Sequence, residues 1–243
     1  MRTLQKDKIV EHFQKVFDQV TKGRSQLGER QEEIYSLAGV PMKHLVNSLC
    51  DLGYKINYLE LGAYRGATLI AALWKNDVNA YAVEHFKYDA TSPNRFMEDW
   101  HPNVRTALEN TIDTYKRAWN GENPIKVIES DLHDVDLKEI DKKIDVVFHD
   151  ADKKDKDIEN FITKYKEVLD KYCILAFTKI QDVGIQGKIE NSLKANNFNI
   201  IAEHVIPDTD VGLDGRSAVG LYYVENKITP QKAKAWLKSQ QYL

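Results

Sequence analysis

Apolar positions follow two rhythms along the chain. In residues 1–53 they recur at helical spacing, with Ile9, Val10, Phe13, Val16, Phe17 and Val20 on one face before the glycine- and charge-rich stretch TKGRSQLGERQ. A second helix is predicted to begin at Pro41, a residue favoured in a first turn, to bury Leu45, Val46 and Leu49, and to end near Gly53. Beyond Gly53, short apolar runs at Tyr58–Leu61, Ala80–Glu84, Ile125–Glu129, Asp145–His149 and Tyr172–Phe177 read as strands. Helical patterns separate them at Ala67–Trp74, Pro102–Trp119, Ile158–Leu169 and Ile185–Leu193. The second is the clearest, with Val104, Leu108, Ile112, Tyr115 and Trp119 on one face and Gly121 after it.

Strands alternating with helices imply parallel strands joined by right-handed crossovers, hence an α/β, Rossmann-like three-layer sandwich. The chain closes differently. Ile200–Ile206 and Ala218–Val224 are consecutive strands joined by the polar turn PDTDVGLDGRS, which predicts an antiparallel C-terminal hairpin at the edge of a mostly parallel sheet. The expected organisation is an N-terminal helical cap over 1–53 and a Rossmann-like domain over 54–243. The apolar faces of the cap suit either a cover over a ligand or a homodimer contact.

With 243 residues, 42% of them hydrophobic, the chain is long enough for one large core. Its 34 Lys and Arg against 37 Asp and Glu leave a net charge of -3, which provides no general attraction to nucleic acid or to anionic membranes. Cys50 and Cys173 sit among apolar neighbours and read as small buried hydrophobes, which fits a reducing compartment. No apolar run approaches the roughly 20 residues of a membrane span, and MRTLQKDK lacks a signal-peptide apolar region. A soluble, cytoplasmic protein is expected.

Chemistry concentrates at YLELGAYRGATLI, residues 58–70. In an open α/β sheet the ligand lies beyond the carboxyl ends of the strands, and the first strand-to-helix turn grips it. A dinucleotide needs G-x-G-x-x-G, so that the second glycine lets the pyrophosphate approach the backbone. Here those positions hold Gly62, Tyr64 and Ala67, and the tyrosine stands where the pyrophosphate comes closest. A ligand with an adenosine but no phosphate fits better. Glu84 closes the second strand, 22 residues after Gly62, where an acid accepts from ribose hydroxyls, and Asp131 follows the third strand within reach of an adenine amino group. Glu60, Glu84 and Asp131 thus stand at three successive strand ends. Singly, each is most simply a solvated acid.

LELGAYRGAT with YAVEH downstream resembles the class I S-adenosylmethionine-dependent methyltransferases, and the G-x-Y-x-G form is similar to the catechol and caffeoyl-CoA O-methyltransferase branch. The likeness covers roughly Tyr54 to Val224 and is firmest in these two motifs. It implies S-adenosylmethionine as cofactor, with its methionine part passing Gly62, Tyr64 and Gly66, its carboxylate on the hydroxyl of Thr68 and its ribose on Glu84. DVVFHDADKKD resembles the family's fourth motif, which gives Asp150 and Lys153. That branch binds a divalent ion through the Asp150-like carboxylate and an Asp-Asn pair after the fifth strand. Here CILAFTKI puts Thr178 and Lys179 at the pair, and a lysine repels an ion, so no metal is expected. Asp152 and Asp182 are the nearby acids that stand as substitutes.

Methyl transfer is an in-line displacement at a sulfonium-activated carbon, and a base is needed only when the acceptor is protonated. His149, Asp150, Asp152 and Lys153 gather at the end of the fourth strand, on the expected acceptor side, and His149, Asp150 and Lys153 are the catalytic candidates. The plainer reading is a solvated strand-helix junction in which Asp152 or Asp155 caps the next helix. HDAD lacks the Pro-Pro-aromatic wall that stacks a flipped base, which favours a small-molecule acceptor and an O-methyl product. The aromatic segment HFKYDATSPNRFMEDWH is either an acceptor wall or a packed loop. Two other classes stay open, a non-catalytic adenosylmethionine or adenosylhomocysteine binder and an NAD-linked oxidoreductase, the latter disfavoured by Tyr64.

Overall fold

The computed structural model describes residues 6–35, 37–87, 103–151, 156–181, 184–207 and 218–227. Its strands are β1 (Ile56–Leu61), β2 (Val78–Glu84), β3 (Ile125–Glu129), β4 (Ile144–His149), β5 (Leu169–Phe177), β6 (Phe198–Ile206) and β7 (Val219–Asn226). They form one sheet in the order β3-β2-β1-β4-β5-β7-β6. The first five run parallel, and β7 pairs antiparallel with both β5 and β6. From β1 the chain winds outward to β3, then returns to place β4 on the other side of β1. The order therefore reverses between β1 and β4, where an open α/β sheet leaves a crevice at its carboxyl edge.

The described helices are α1 (Lys6–Thr21), the single turn α2 (Glu29–Glu32), α3 (Val40–Cys50), α4 (Ala67–Leu73), α5 (Val104–Asp113), α6 (Asp157–Tyr165) and α7 (Ile185–Ala195). One sheet face packs Tyr58, Ala82, Val146 and Phe148 against Phe13 and Val16 of α1, Leu45 and Leu49 of α3, Ile70 of α4 and Leu108 of α5. The opposite face packs Leu59, Val147 and Leu175 against Phe161 and Ile162 of α6 and Ile189 and Leu193 of α7. The N-terminal helices thus share a core with the sheet. Asn47, fully buried on α3, ties them down: its Nδ2 donates to the carbonyls of Ala71 and Trp74 at 2.8 and 2.9 Å, and its Oδ1 accepts from the Gln26 N–H at 2.9 Å. Both cysteines are free and buried.

The C-terminal hairpin departs in placement from two strands simply added at the rim. β7, buried along almost its whole length, enters between β5 and β6, with Cys173 opposite Val224, and leaves β6 as the edge. The turn PDTDVGLDGRS lies outside the described residues except for Pro207. The helix expected to reach Leu169 stops at Tyr165, and β5 begins at Leu169. Tyr165, Val168 and Leu169 fit helical spacing, but Leu169 pairs with Ile144 and the Val168 carbonyl accepts from the Ile144 N–H at 2.9 Å, so sheet pairing prevails. The helix α5 continues into a π-turn at Thr114–Ala118, which carries the Tyr115 side chain into the core.

Candidate functional site

The turn after β1 lies at the switch point. Gly62 has φ +89°, and a Cβ there would stand 3.2 Å from the Ala151 nitrogen and 3.3 Å from the Asp150 carbonyl carbon. The chains leaving β1 and β4 therefore touch through backbone, which only glycine allows. Gly66, at φ +84°, caps α4, and a Cβ there would lie 2.6 Å from Leu108 Cδ1. Its smallness serves the packing of α5. Between them Tyr64 also adopts a left-handed backbone, φ +48°, and its N–H donates to Glu84 Oε2 at 2.7 Å. That N–H is turned to a carboxylate, not toward a phosphate site.

Glu84 is nearly buried at the end of β2. Besides Tyr64, the backbone N–H groups of His85 and Phe86 donate to its Oε1 at 2.8 and 3.2 Å. Three backbone donors fix the carboxylate, the His85 Nε2 stands 3.9 Å from its Oε1, and one of its roughly four acceptor sites remains for a hydroxyl. Glu129 lies beside it on β3, and the Ser130 N–H donates to the Glu84 carbonyl at 3.2 Å. Asp131 follows, exposed, with Oδ1 accepting from the His133 N–H at 2.8 Å. Gly62, Tyr64, Glu84 and Asp131 thus line the carboxyl edge of β1 to β3.

Glu60 and Thr68 lie beneath this turn. Glu60 is fully buried: Tyr58 Oη donates to its Oε2 at 3.0 Å, and Thr68 Oγ1 donates to its Oε1. Burial pushes the Glu60 carboxyl up to about 8; the two hydrogen bonds oppose the shift, and the nearby carboxylates of Asp150 and Glu84 add to it. The same burial pushes the Tyr58 phenol up. Thr68, expected to meet a ligand carboxylate, directs its hydroxyl inward to Glu60 instead. Only the carboxylic acid beneath the turn, absent from any G-x-G pattern, signals this arrangement in the sequence.

At the end of β4 the candidates separate. The Asp150 N–H donates to the Leu61 carbonyl at 3.0 Å, and its side chain is partly exposed. Thr178 Oγ1 donates to Asp150 Oδ1 at 2.6 Å, and the Lys179 ammonium stands 3.9 Å from the same oxygen. An ammonium and a hydroxyl donor facing one carboxylate do not fit a divalent ion, which needs oxygen acceptors there. His149 corrects the sequence reading. Its ring is fully buried, with centroids 5.0 Å from Phe161 and 5.6 Å from Phe177, on the α6 side of the sheet rather than at the crevice. Lys153 and Asp152 lie outside the described residues, as does Asp182. Sequence reasoning missed Arg65, whose guanidinium stands 5.0 Å from the Tyr35 ring centre and 5.7 Å from that of Tyr64, bracing the turn against the N-terminal segment.

No protein-family model and no curated protein sequence matches the chain. Solved structures do. A ribosomal protein methylase from Lactobacillus delbrueckii subsp. bulgaricus superposes with TM-score 0.50 at 17% identity, over 81% of this chain and 79% of that one. An RNA methyltransferase candidate from Pyrococcus horikoshii gives 0.53 at 15%, over 88% and 98%. A precorrin-6y methyltransferase from Geobacter metallireducens gives 0.50 at 11%, over 80% and 92%. The chain shares the Rossmann-like α/β fold of these structures. At such identities the likeness extends to the fold alone.

Proposed function

We propose that the protein is an S-adenosylmethionine-dependent methyltransferase that acts on an oxygen of a small-molecule acceptor without a metal ion. The observation that carries this reading is Glu84, held at the end of β2 by three backbone donors, one of them the Tyr64 N–H of the Gly62–Gly66 turn. Its remaining acceptor capacity suits a ribose hydroxyl. The turn's own Tyr64 N–H is taken by that carboxylate, which favours a cofactor without a pyrophosphate. The cofactor supplies a methyl group on a sulfonium; the chain binds and orients it and sets the acceptor beside it.

The three structural neighbours are described by different acceptors, a ribosomal protein, RNA and a precorrin, so the acceptor class rests on this chain's own residues. A net charge of -3 and the acids at the strand ends provide no general attraction to a nucleic-acid backbone. Asp150 with Lys179 forms the acceptor side in this reading, Lys153 stays a candidate from the sequence alone, and the Lys179 ammonium takes the place of an ion. A thermal-shift panel of adenosylmethionine, adenosylhomocysteine, NAD and ATP tests it. At a hundredfold excess over the dissociation constant, adenosylhomocysteine adds about 2.7 kcal/mol and raises the melting temperature. Comparable stabilisation by NAD alone overturns the reading.

A further inference from the structure

Lys179 is the residue whose backbone and side chain call most for a function. It follows β5 with φ +57°, a region that disfavours a side chain, and its neighbours are pinned on both sides. The Thr178 N–H donates to the His149 carbonyl at 3.2 Å, and the Ile180 N–H donates to the Ala218 carbonyl at 3.2 Å. The strained residue is thus clamped between β4 and the start of β7. Its ammonium ends 3.9 Å from Asp150 Oδ1, which the buried Thr178 hydroxyl holds in place. At that distance the pair is an ion pair without a hydrogen bond, and the Lys179 side chain is 45% exposed. Asp150 adjoins the Gly62 turn through backbone contact. A partly exposed cation with donors to spare therefore stands two strands from the proposed cofactor turn, with β4 and Asp150 between them.

We propose that Lys179 binds the oxygen of an acidic hydroxyl acceptor, of the phenol or enol class, and stabilises it as the anion. This rests on the methyltransferase reading. The acceptor's proton leaves to solvent before transfer, driven by the neighbouring ammonium. The oxyanion's electron pair then forms the carbon-oxygen bond to the methyl carbon. The carbon-sulfur bond breaks and its pair returns to sulfur, so an anion and a sulfonium cation become a neutral ether and a neutral thioether. An amine acceptor gains nothing from the same ammonium.

The test uses para-nitrophenol, whose phenolate absorbs in the visible, titrated against pH in the presence of the full-length protein saturated with adenosylhomocysteine. The bound probe should ionise roughly one pH unit lower than the free one, about a tenfold gain in the anion. Lys179→Gly and Lys179→Gln should abolish the shift, and Lys179→Arg should keep it, all with unchanged adenosylhomocysteine affinity. Lys179→Gly should also melt no lower than the wild type, because glycine relieves the left-handed backbone; a merely structural lysine would lower the melting point. A shift that persists in Lys179→Gly and Lys179→Gln, or its absence in a wild type that binds adenosylhomocysteine, overturns the proposal. A wild type that does not bind adenosylhomocysteine overturns the methyltransferase reading and this proposal with it.

Discussion

Replacing Glu60 by glutamine should remove a pH dependence from folding. Glu60 is fully buried between Tyr58 and Thr68, and its carboxyl is pushed from 4.5 to about 8, first by burial. Between those two values the folded protein holds a proton that the unfolded chain releases. Stability from this group is therefore complete below about 4.5 and falls as pH rises toward 8. Each unit is worth 1.36 kcal/mol, so the wild type should lose on the order of 3 kcal/mol between about pH 5 and about pH 8. Glutamine mimics the protonated carboxyl: its oxygen accepts from Tyr58, its nitrogen donates to the Thr68 oxygen, and it has no proton to lose.

Urea unfolding followed by tryptophan fluorescence reads the difference. With a slope of about 3 kcal/mol per molar, Glu60→Gln and wild type should unfold together near pH 5, and the variant should lie roughly 1 M higher near pH 8. Asp145, raised by burial to about 6, adds a loss of the same sign at lower pH, but it is present in both proteins and cancels in the comparison. Parallel midpoints across the whole range would refute the reasoning, because Glu60 would then ionise in the folded protein as easily as in the unfolded one.

Glu84→Ala should weaken adenosylhomocysteine binding by roughly 1.5 to 3 kcal/mol, about ten- to a hundredfold, and unchanged affinity by calorimetry in a folded variant would place the ribose elsewhere. Gly62→Ala, forced to φ +89° against the Asp150–Ala151 backbone, should cost about 1 to 3 kcal/mol and abolish cofactor binding; a variant that melts and binds like the wild type would show that β1 and β4 do not meet there. Once an acceptor is in hand, turnover should survive EDTA; loss of activity that magnesium restores would mean that Lys179 does not replace an ion.

The sheet was legible because its strands are apolar runs ended by acids or polar residues, and alternation with helices fixes a parallel core. Its finer placement was not. β4 is buried on both faces, so its sequence shows no alternation from which the direction of His149 can be read, and a one-residue step separates the Phe161–Phe177 cluster from the crevice that Asp150 meets. Glu60 presents the same ambiguity. An acid at a strand end reads alike whether it meets a ligand or, as here, a tyrosine and a threonine beneath the turn. The left-handed backbone of Lys179 depends on hydrogen bonds to β4 and to Ala218, which no local propensity encodes.

Charge decides between the ligands that the turn's shape alone leaves in play. Glu60 feels both Asp150 and Glu84, so three carboxyl groups share one neighbourhood around the Gly62 turn. A pyrophosphate would bring negative charge against this group of acids and hold the Glu60 proton more tightly, with the Tyr64 N–H already committed to Glu84. Adenosylmethionine instead carries a sulfonium and an ammonium against a single carboxylate, and that net positive charge near the turn favours the ionised carboxyl groups. Binding of that cation should therefore draw the proton from Glu60, whereas neutralising the same group by Glu60→Gln should weaken adenosylmethionine more than adenosylhomocysteine, which lacks the sulfonium charge. Equal losses for both would assign Glu60 to the support of the turn alone, through Tyr58 and Thr68, with no electrostatic part in choosing the cofactor.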